Sequence, residues 1–394
     1  MAKYNKNLLI ISLIVLVNML GYGIIIPILY AYSKRFGLTD FQNGLLFALY
    51  SICQFISTPF IGRLSDRYGR KPLLIISVAG TAVSFFVMAF APNALFLFLA
   101  RSLDGLTAGN IPVAFAVISD STKPAERARA FGFIGAAFNF GFIFGPAISA
   151  FTVGFSEALP FIIAGVITVI AVLLTVVYLP ETNEHMGEVE KSKLFDLRKL
   201  WRTLFDPNVG ILFFISLTFF LAFSCAVIYG FQPFVIKVLG ITPAQNALLF
   251  TVFGIIGLIS QTVLVQRISE RFGMKKSFSA SMLLTAVSFL IMFFSRSLFI
   301  FIIASVILAL FNSVTQTLIP TILSQEADVK SQGSIMGLNT SYQSIGMVVG
   351  PILGGAAATV AIPLPFLVGA FLIMVCFFLS FQILKPGVVQ ESAF

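Results

Sequence analysis

The sequence predicts an all-α membrane protein of twelve transmembrane helices, arranged as two pseudo-symmetric six-helix bundles. Three observations predict it. The first is composition: 58% of the 394 residues are hydrophobic and only 10% are charged, with a mean hydropathy of +1.00, against about 25% charged in ordinary soluble domains. The second is the succession of apolar runs. A bilayer-crossing helix needs about 20 mostly apolar residues. Twelve such stretches follow one another at 8–30, 41–61, 72–91, 95–118, 130–152, 160–179, 209–233, 243–265, 277–294, 298–322, 333–358 and 364–384. They are continuously apolar and not alternating, which excludes a barrel of two-faced strands. The third is an internal repeat. Gly132, Gly141, Gly145 and Pro146 recur as Gly337, Gly346, Gly350 and Pro351, each 205 residues later. Upstream, the run from Gly62 to Lys71 has a weaker echo from Gln266 to Lys275. Two motifs repeating in one order mean one unit present twice, a construction common among membrane transporters.

Span 1 is about 23 residues long and has no small-residue cleavage site, so it reads as a true span and not a removable signal. Spans 1–6 form an N-terminal bundle within residues 1–180, and spans 7–12 a C-terminal bundle within 209–394. Between them, 181–208 is the one long polar connection, carrying Glu181, Glu184, Glu188, Glu190, Asp196 and Asp206 among several Lys and Arg. A short amphipathic helix at about Leu194–Leu204 is expected to lie on the membrane surface there, with Trp201, the only tryptophan, at the interface. The remaining connections are short, so neighbouring spans run antiparallel.

The net charge of +9 is a topology signal and not a nucleic-acid signal. Twenty of the 25 Lys and Arg fall at the ends and loops of one side. Lys34, Arg35, Lys237 and Arg296 fall on the other, and Arg101 inside a span. The excess places both termini and the central loop in the cytoplasm. Cys53, Cys225 and Cys376 lie in spans and read as packed thiols. The sole histidine, His185, is in the polar loop, so neither a His/Cys metal site nor a cofactor is expected.

Four sets of residues carry chemistry. Gly62 and Gly69 allow tight turning between spans 2 and 3, and Asp66 is an acid among Arg63, Arg67, Arg70 and Lys71. Asp120, at the cytoplasmic end of span 4, is placed to join that network. In spans 5 and 11, small residues four apart let helix backbones approach closely, while Pro146 and Pro351 each remove a backbone hydrogen bond. In span 4, Arg101 and Asp104 are the charges found deep in a span, where burial is costly and marks functional candidates. Their i, i+3 spacing puts them on one helix face. Finally, Asn18, Tyr22, Gln54, Asn110, Asn139, Tyr229, Gln232, Asn312, Gln316, Asn339, Tyr342 and Gln343 are polar groups at membrane depth. For each, bonding between helices competes with ligand contact. With 45 Phe in the chain, a central cavity would be aromatic and weakly polar, suited to lipophilic or amphiphilic small molecules. There is no phosphate-cradling loop and no pair of catalytic carboxylates, so an enzyme is not expected.

The segment Gly62, Asp66, Arg67, Gly69, Arg70, Lys71 resembles the signature loop of the major facilitator superfamily. The glycine series of span 5 is similar to the antiporter motif of its twelve-span drug:proton exchangers. That motif usually ends Gly-Gly; here it ends Ser149-Ala150, and the second copy ends Gly354-Gly355. Arg101 and Gly105 resemble the Arg-x-x-x-Gly element of span 4, whose arginine is implicated in proton transfer; Asp104 stands where many members are neutral. Asn18, Gly21, Tyr22, Gly23 and Pro27 resemble the start of tetracycline-efflux pumps, which have Asp at the Asn18 position.

The resemblance implies the major facilitator fold, with a cavity between the bundles near mid-membrane. Asp66 and its arginines would latch the cytoplasmic side, and Asp104 with Arg101 would couple to protons. The function implied is proton-coupled efflux of lipophilic or amphiphilic small molecules by alternating access. The protein would be a monomer in a bacterial or archaeal cytoplasmic membrane. A proton-coupled importer or uniporter of a small metabolite would use the same fold, and a non-transporting receptor or scaffold is the remote alternative.

Overall fold

Buried in lipid, a backbone must satisfy its own hydrogen bonds, and a helix does so within one segment. The computed structural model describes residues 2–122, 124–183, 197–206, 209–326 and 332–384, and they form helices and connecting turns with no strand. Among them, eleven helices are long and apolar enough to cross a membrane. The twelfth expected span, 95–118, is present as two helices, Ala94–Thr107 and Asn110–Ser121. The ladder breaks at Ala108 and Gly109, where the Ala108 amide reaches back only three residues, to Gly105, and the Gly109 amide only two, to Thr107.

Local chemistry sets many helix ends. Thr39 opens the span 2 helix, Asp40–Tyr68, with a reciprocal capping box to Gln42. The Asn93 side chain caps the first helix of span 4 through the Leu95 amide. Between spans 2 and 3 the chain turns on Gly69, at φ +104°, and the equivalent turn between spans 8 and 9 uses Gly273, at φ +83°. A side chain at either position would be strained. Spans 7 and 8 each widen into a π-helical turn, at Ser224–Gly230 and Ser260–Leu264. Pro233, which has no amide to donate to the Tyr229 carbonyl, follows the first; the second contains no proline.

The chain divides into two compact units. One comprises residues 1–195 and 235–254, the other 196–234 and 255–394. In the first, span 1 packs along span 5, and in the second span 7 packs along span 11. Buried hydroxyls bridge helices within each unit: Ser149 donates to the Ile24 carbonyl at 2.7 Å, Ser380 to Ser279 at 2.7 Å, and Ser281 pairs with Thr315 at 2.8 Å. Such bonds occupy polar groups that lipid would leave unsatisfied. Cys225 and Cys376 are buried and Cys53 is half-buried, all as free thiols.

Candidate functional site

The charges of span 4 meet as expected. Arg101 lies 3.3 Å from Asp104, and the two residues are only 3% and 6% exposed. Close backbone contact holds the pair in place. A Cβ on Gly105 would come within 2.5 Å of the Tyr50 carbonyl and 2.6 Å of the Cys53 Cβ, so spans 2 and 4 touch with no side chain between them. Ser57 ties the same crossing by donating to the Gly105 carbonyl at 2.9 Å. The Arg101 guanidinium then sits 4.4 Å above the Tyr50 ring, a cation–π contact strengthened by burial. Tyr22 stands 5.8 Å from both Tyr50 and Phe142, and Gln54 donates to the Tyr50 hydroxyl at 3.2 Å. The Arg101 Nε is buried with no hydrogen-bond partner. The unit thus holds an ion pair of long contact distance inside an aromatic box, with one donor left over.

The glycine motif divides in two. A Cβ on Gly145 would lie 2.7 Å from the Leu20 carbonyl and 2.8 Å from the Gly23 Cα, and Gly141 abuts Met19 and Leu20 as tightly. In the second copy, Gly346 abuts Leu217 and Leu221 at 2.7 Å, and Gly350 abuts Leu221 and Ser224. Gly132 and Gly337 face open space in both copies. Pro146 lines the crossing, 3.0 Å from a Cβ at Gly23, and Pro351 lies inside the span 11 helix, Gln332–Val360.

In the motif between spans 2 and 3, Arg70 is the hub. It bonds Asp66 at 2.5 Å, Asp120 at 3.0 Å and the Ser65 hydroxyl at 2.7 Å. Arg67 stacks on the Tyr68 ring at 5.2 Å, and Lys71 donates to the Val176 carbonyl at 2.8 Å. Gly62 faces open space. The second copy keeps a reduced version: Met274 stands where the first copy has Arg70, and Lys275, the counterpart of Lys71, pairs with Glu326 at 2.8 Å.

Sequence reasoning missed Glu181. Gly69 has no side chain with which to cap the span 3 helix, Arg70–Ala89, and Glu181 does so from 111 residues away. Its carboxylate accepts from the amides of Arg70 at 2.8 Å, Lys71 at 3.1 Å, and Thr182 and Asn183 at 2.9 Å. Asn183 in turn donates to the Asp66 carbonyl at 2.8 Å, closing the end of span 2. Burial pushes the Glu181 carboxyl up, but these amides outweigh it and hold it below the usual glutamate range. Glu181→Ala should therefore cost about 0.5–2 kcal/mol, as loss of a helix cap does, with Glu181→Gln intermediate. The folded state holds the proton less tightly than the unfolded chain, so this stabilisation is complete near neutral pH. It fades as pH falls through the folded pKa. Thermal unfolding of the purified protein at pH 7 and in acid checks both; a deficit that grows in acid would refute the assignment.

Asp40 was missed as well. It accepts from the Tyr30 hydroxyl at 2.5 Å and pairs with Lys34 at 3.1 Å and Lys237 at 3.0 Å, all within the first unit.

Several expected cavity residues are engaged between helices. Asn110 donates to Asn18 at 2.8 Å, and Ser216 to Asn339 at 2.7 Å. Gln232 is buried and donates, within its own span, to the Ile228 carbonyl at 3.4 Å. Tyr229 is buried against Gly354. Tyr342 donates to the Leu200 carbonyl at 2.5 Å. Asn139, Asn312, Gln316 and Gln343 are half-buried, and the Asn312 carbonyl oxygen is buried without a partner.

An all-helical membrane chain with duplicated glycine crossings and a buried ion pair in one span is built as a secondary transporter. The family model described as the Major Facilitator Superfamily matches residues 11–236 and 214–393, and the chain belongs to that superfamily. It is 31% identical over 371 residues to multidrug resistance protein 1 of Bacillus subtilis (strain 168), covering 93% of each chain. It is 28% identical over 368 residues to the class H tetracycline resistance protein of Pasteurella multocida, covering 89% of this chain and 88% of that one. Among solved structures, the inward-facing, unoccupied bacterial homologue of the human lysosomal transporter Spinster superposes with a TM-score of 0.79 at 17% identity, over 97% of this chain and 98% of that one. At that identity the likeness shows the fold alone.

Proposed function

We propose that this protein is a proton-coupled exporter of lipophilic or amphiphilic small molecules. The observation that carries the reading is the Arg101–Asp104 pair, held at 3.3 Å in a buried aromatic setting beside Tyr22 and Tyr50. A carboxylate there has two uses for its charge, the pair with Arg101 or a proton. A substrate that competes for the same surroundings links its own binding to proton release. The similarity to tetracycline and multidrug resistance proteins supports the substrate class. Six-helix halves at 1–180 and 209–394, joined by 181–208, would alternate access, and protons would enter with the membrane potential, gaining about 2.3 kcal/mol per charge per 100 mV. The excess of basic residues on one side supports cytoplasmic termini, and the reading places the protein as a monomer in a bacterial or archaeal inner membrane.

The test uses everted vesicles, acidified inside by respiration and carrying a pH-sensitive dye. A tetracycline, a quinolone and an amphiphilic cationic dye are added in turn. Efflux coupling predicts that at least one dissipates the pH gradient and accumulates inside, and that vesicles without the protein show neither. Accumulation in right-side-out vesicles only would establish import instead.

A further inference from the structure

The short helix Leu197–Thr203 precedes span 7 and presents an unusual face. Arg198, Trp201, Arg202 and Phe205 are all exposed, Trp201 by 66% and Phe205 by 70%. The i, i+3 and i+4 spacing places Arg198, Trp201 and Arg202 on one helix face, and Phe205 lies in the turn just past the helix end. The two rings meet edge to face at 5.4 Å. The opposite side is held fast. The Tyr342 hydroxyl donates to the Leu200 carbonyl at 2.5 Å and shares a hydrogen bond with Thr203 at 2.8 Å. The Leu204 carbonyl lies against the bare Cα of Gly210, the first residue of the span 7 helix, and the Asp206 carboxylate accepts from the Val209 amide just before it at 3.2 Å. The stripe is therefore fixed in orientation and lies within two or three turns of the start of a span, the region where lipid headgroups are expected.

Its chemistry differs from that of the lipid-facing spans. Exposed rings such as Phe140, Phe144 and Phe151 of span 5 stand among apolar or small neighbours, as acyl chains require. Here two guanidinium groups alternate with two aromatic rings. The rings suit the boundary between headgroup and acyl chain, and guanidinium groups pair with phosphate oxygens. A zwitterionic lipid brings an ammonium that two arginines repel and no net negative charge; an anionic lipid such as phosphatidylglycerol brings the charge without the ammonium.

We propose that Arg198, Trp201, Arg202 and Phe205 form a binding face for the headgroup of an anionic phospholipid. Trp201 is the only tryptophan in the chain, so its fluorescence reports this face alone. The full-length protein is placed in phosphatidylcholine vesicles containing a small fixed fraction of brominated lipid, either phosphatidylglycerol or phosphatidylcholine. Brominated phosphatidylglycerol is expected to quench Trp201 in clear excess over brominated phosphatidylcholine. That preference should fall about fivefold for each arginine removed in Arg198→Gln and Arg202→Gln, the effect of one basic side chain at an anionic surface. Arg267→Gln, an equal charge loss at an exposed site elsewhere, should leave it intact, as should replacing chloride with inorganic phosphate at matched ionic strength. Equal quenching of the wild type by the two lipids overturns the proposal. So does a preference that survives loss of both arginines, falls equally in Arg267→Gln, or vanishes in phosphate. No transport is read, so failure of the efflux reading leaves this result standing.

Discussion

Asp104→Asn is expected to abolish uphill, proton-driven transport while substrate binding and passive exchange persist. The physical difficulty is that removing one member of a buried ion pair strands the other, at a cost of about 3–5 kcal/mol. Arg101 keeps part of its stabilisation from the Tyr50 ring, 4.4 Å away, but a loss of transport alone would not separate coupling from damage. The double variant Arg101→Gln/Asp104→Asn separates them. It buries no net charge, so its thermal stability should recover above that of the single variant, yet uphill transport should remain at background. The measurement is substrate accumulation in proteoliposomes under an imposed pH gradient, beside equilibrium binding in detergent. Accumulation at wild-type levels by either variant would remove Asp104 from the coupling role.

Gly145→Leu and Gly350→Leu should insert and bind substrate from one side, yet turn over at a small fraction of the wild-type rate. At both positions a side chain would collide with a backbone carbonyl 2.7 Å away, Leu20 in one copy and Leu221 in the other. Backbone cannot rotate aside as a side chain can, and overpacking of this kind costs about 1–3 kcal/mol. If about 1.4 kcal/mol of that falls on the rate-limiting rearrangement, turnover drops about tenfold. Gly145→Leu is expected to be the more severe, because the first copy carries the motif that resembles the antiporter element. Gly132→Leu and Gly337→Leu provide the control within the same motif, since nothing lies within 4 Å of a Cβ at either. They should transport normally. Flux per inserted molecule that is equal across all four variants would show that these crossings do not carry the moving contacts.

Much of this architecture could be read before any coordinates, because lipid leaves few alternatives to a run of about 20 apolar residues. The same holds for contacts between near neighbours in a helix: Asp66 with Arg70 and Arg101 with Asp104 follow from spacings of four and three. Contacts set by distant residues were not legible. Glu181 stood in a polar loop like any other acid there, and only the fold brings it to the bare end of the helix that starts at Arg70. Asp40 was likewise ordinary until Tyr30 and Lys237 arrived beside it. Nor could composition separate Asn339 and Tyr342, which brace helices, from groups facing a ligand, since both uses need the same polar atoms at the same depth. The break in span 4 was hidden for a different reason. Gly105 and Gly109 serve tight packing on span 2 as readily as they permit a turn.

A continuous α-helix is a stiff rod: twist one end and the other follows. Span 4 is two rods meeting at Ala108 and Gly109. Its first rod carries Arg101 and Asp104; its second carries Asp120, which holds Arg70. One stretch of chain therefore houses both charge clusters while acting as a universal joint between them. Rotation or tilt imposed on the buried pair would be absorbed at the joint before it reached the Arg70 cluster, so under the proposed coupling a signal from Asp104 would reach that cluster through neighbouring spans and not along span 4 itself.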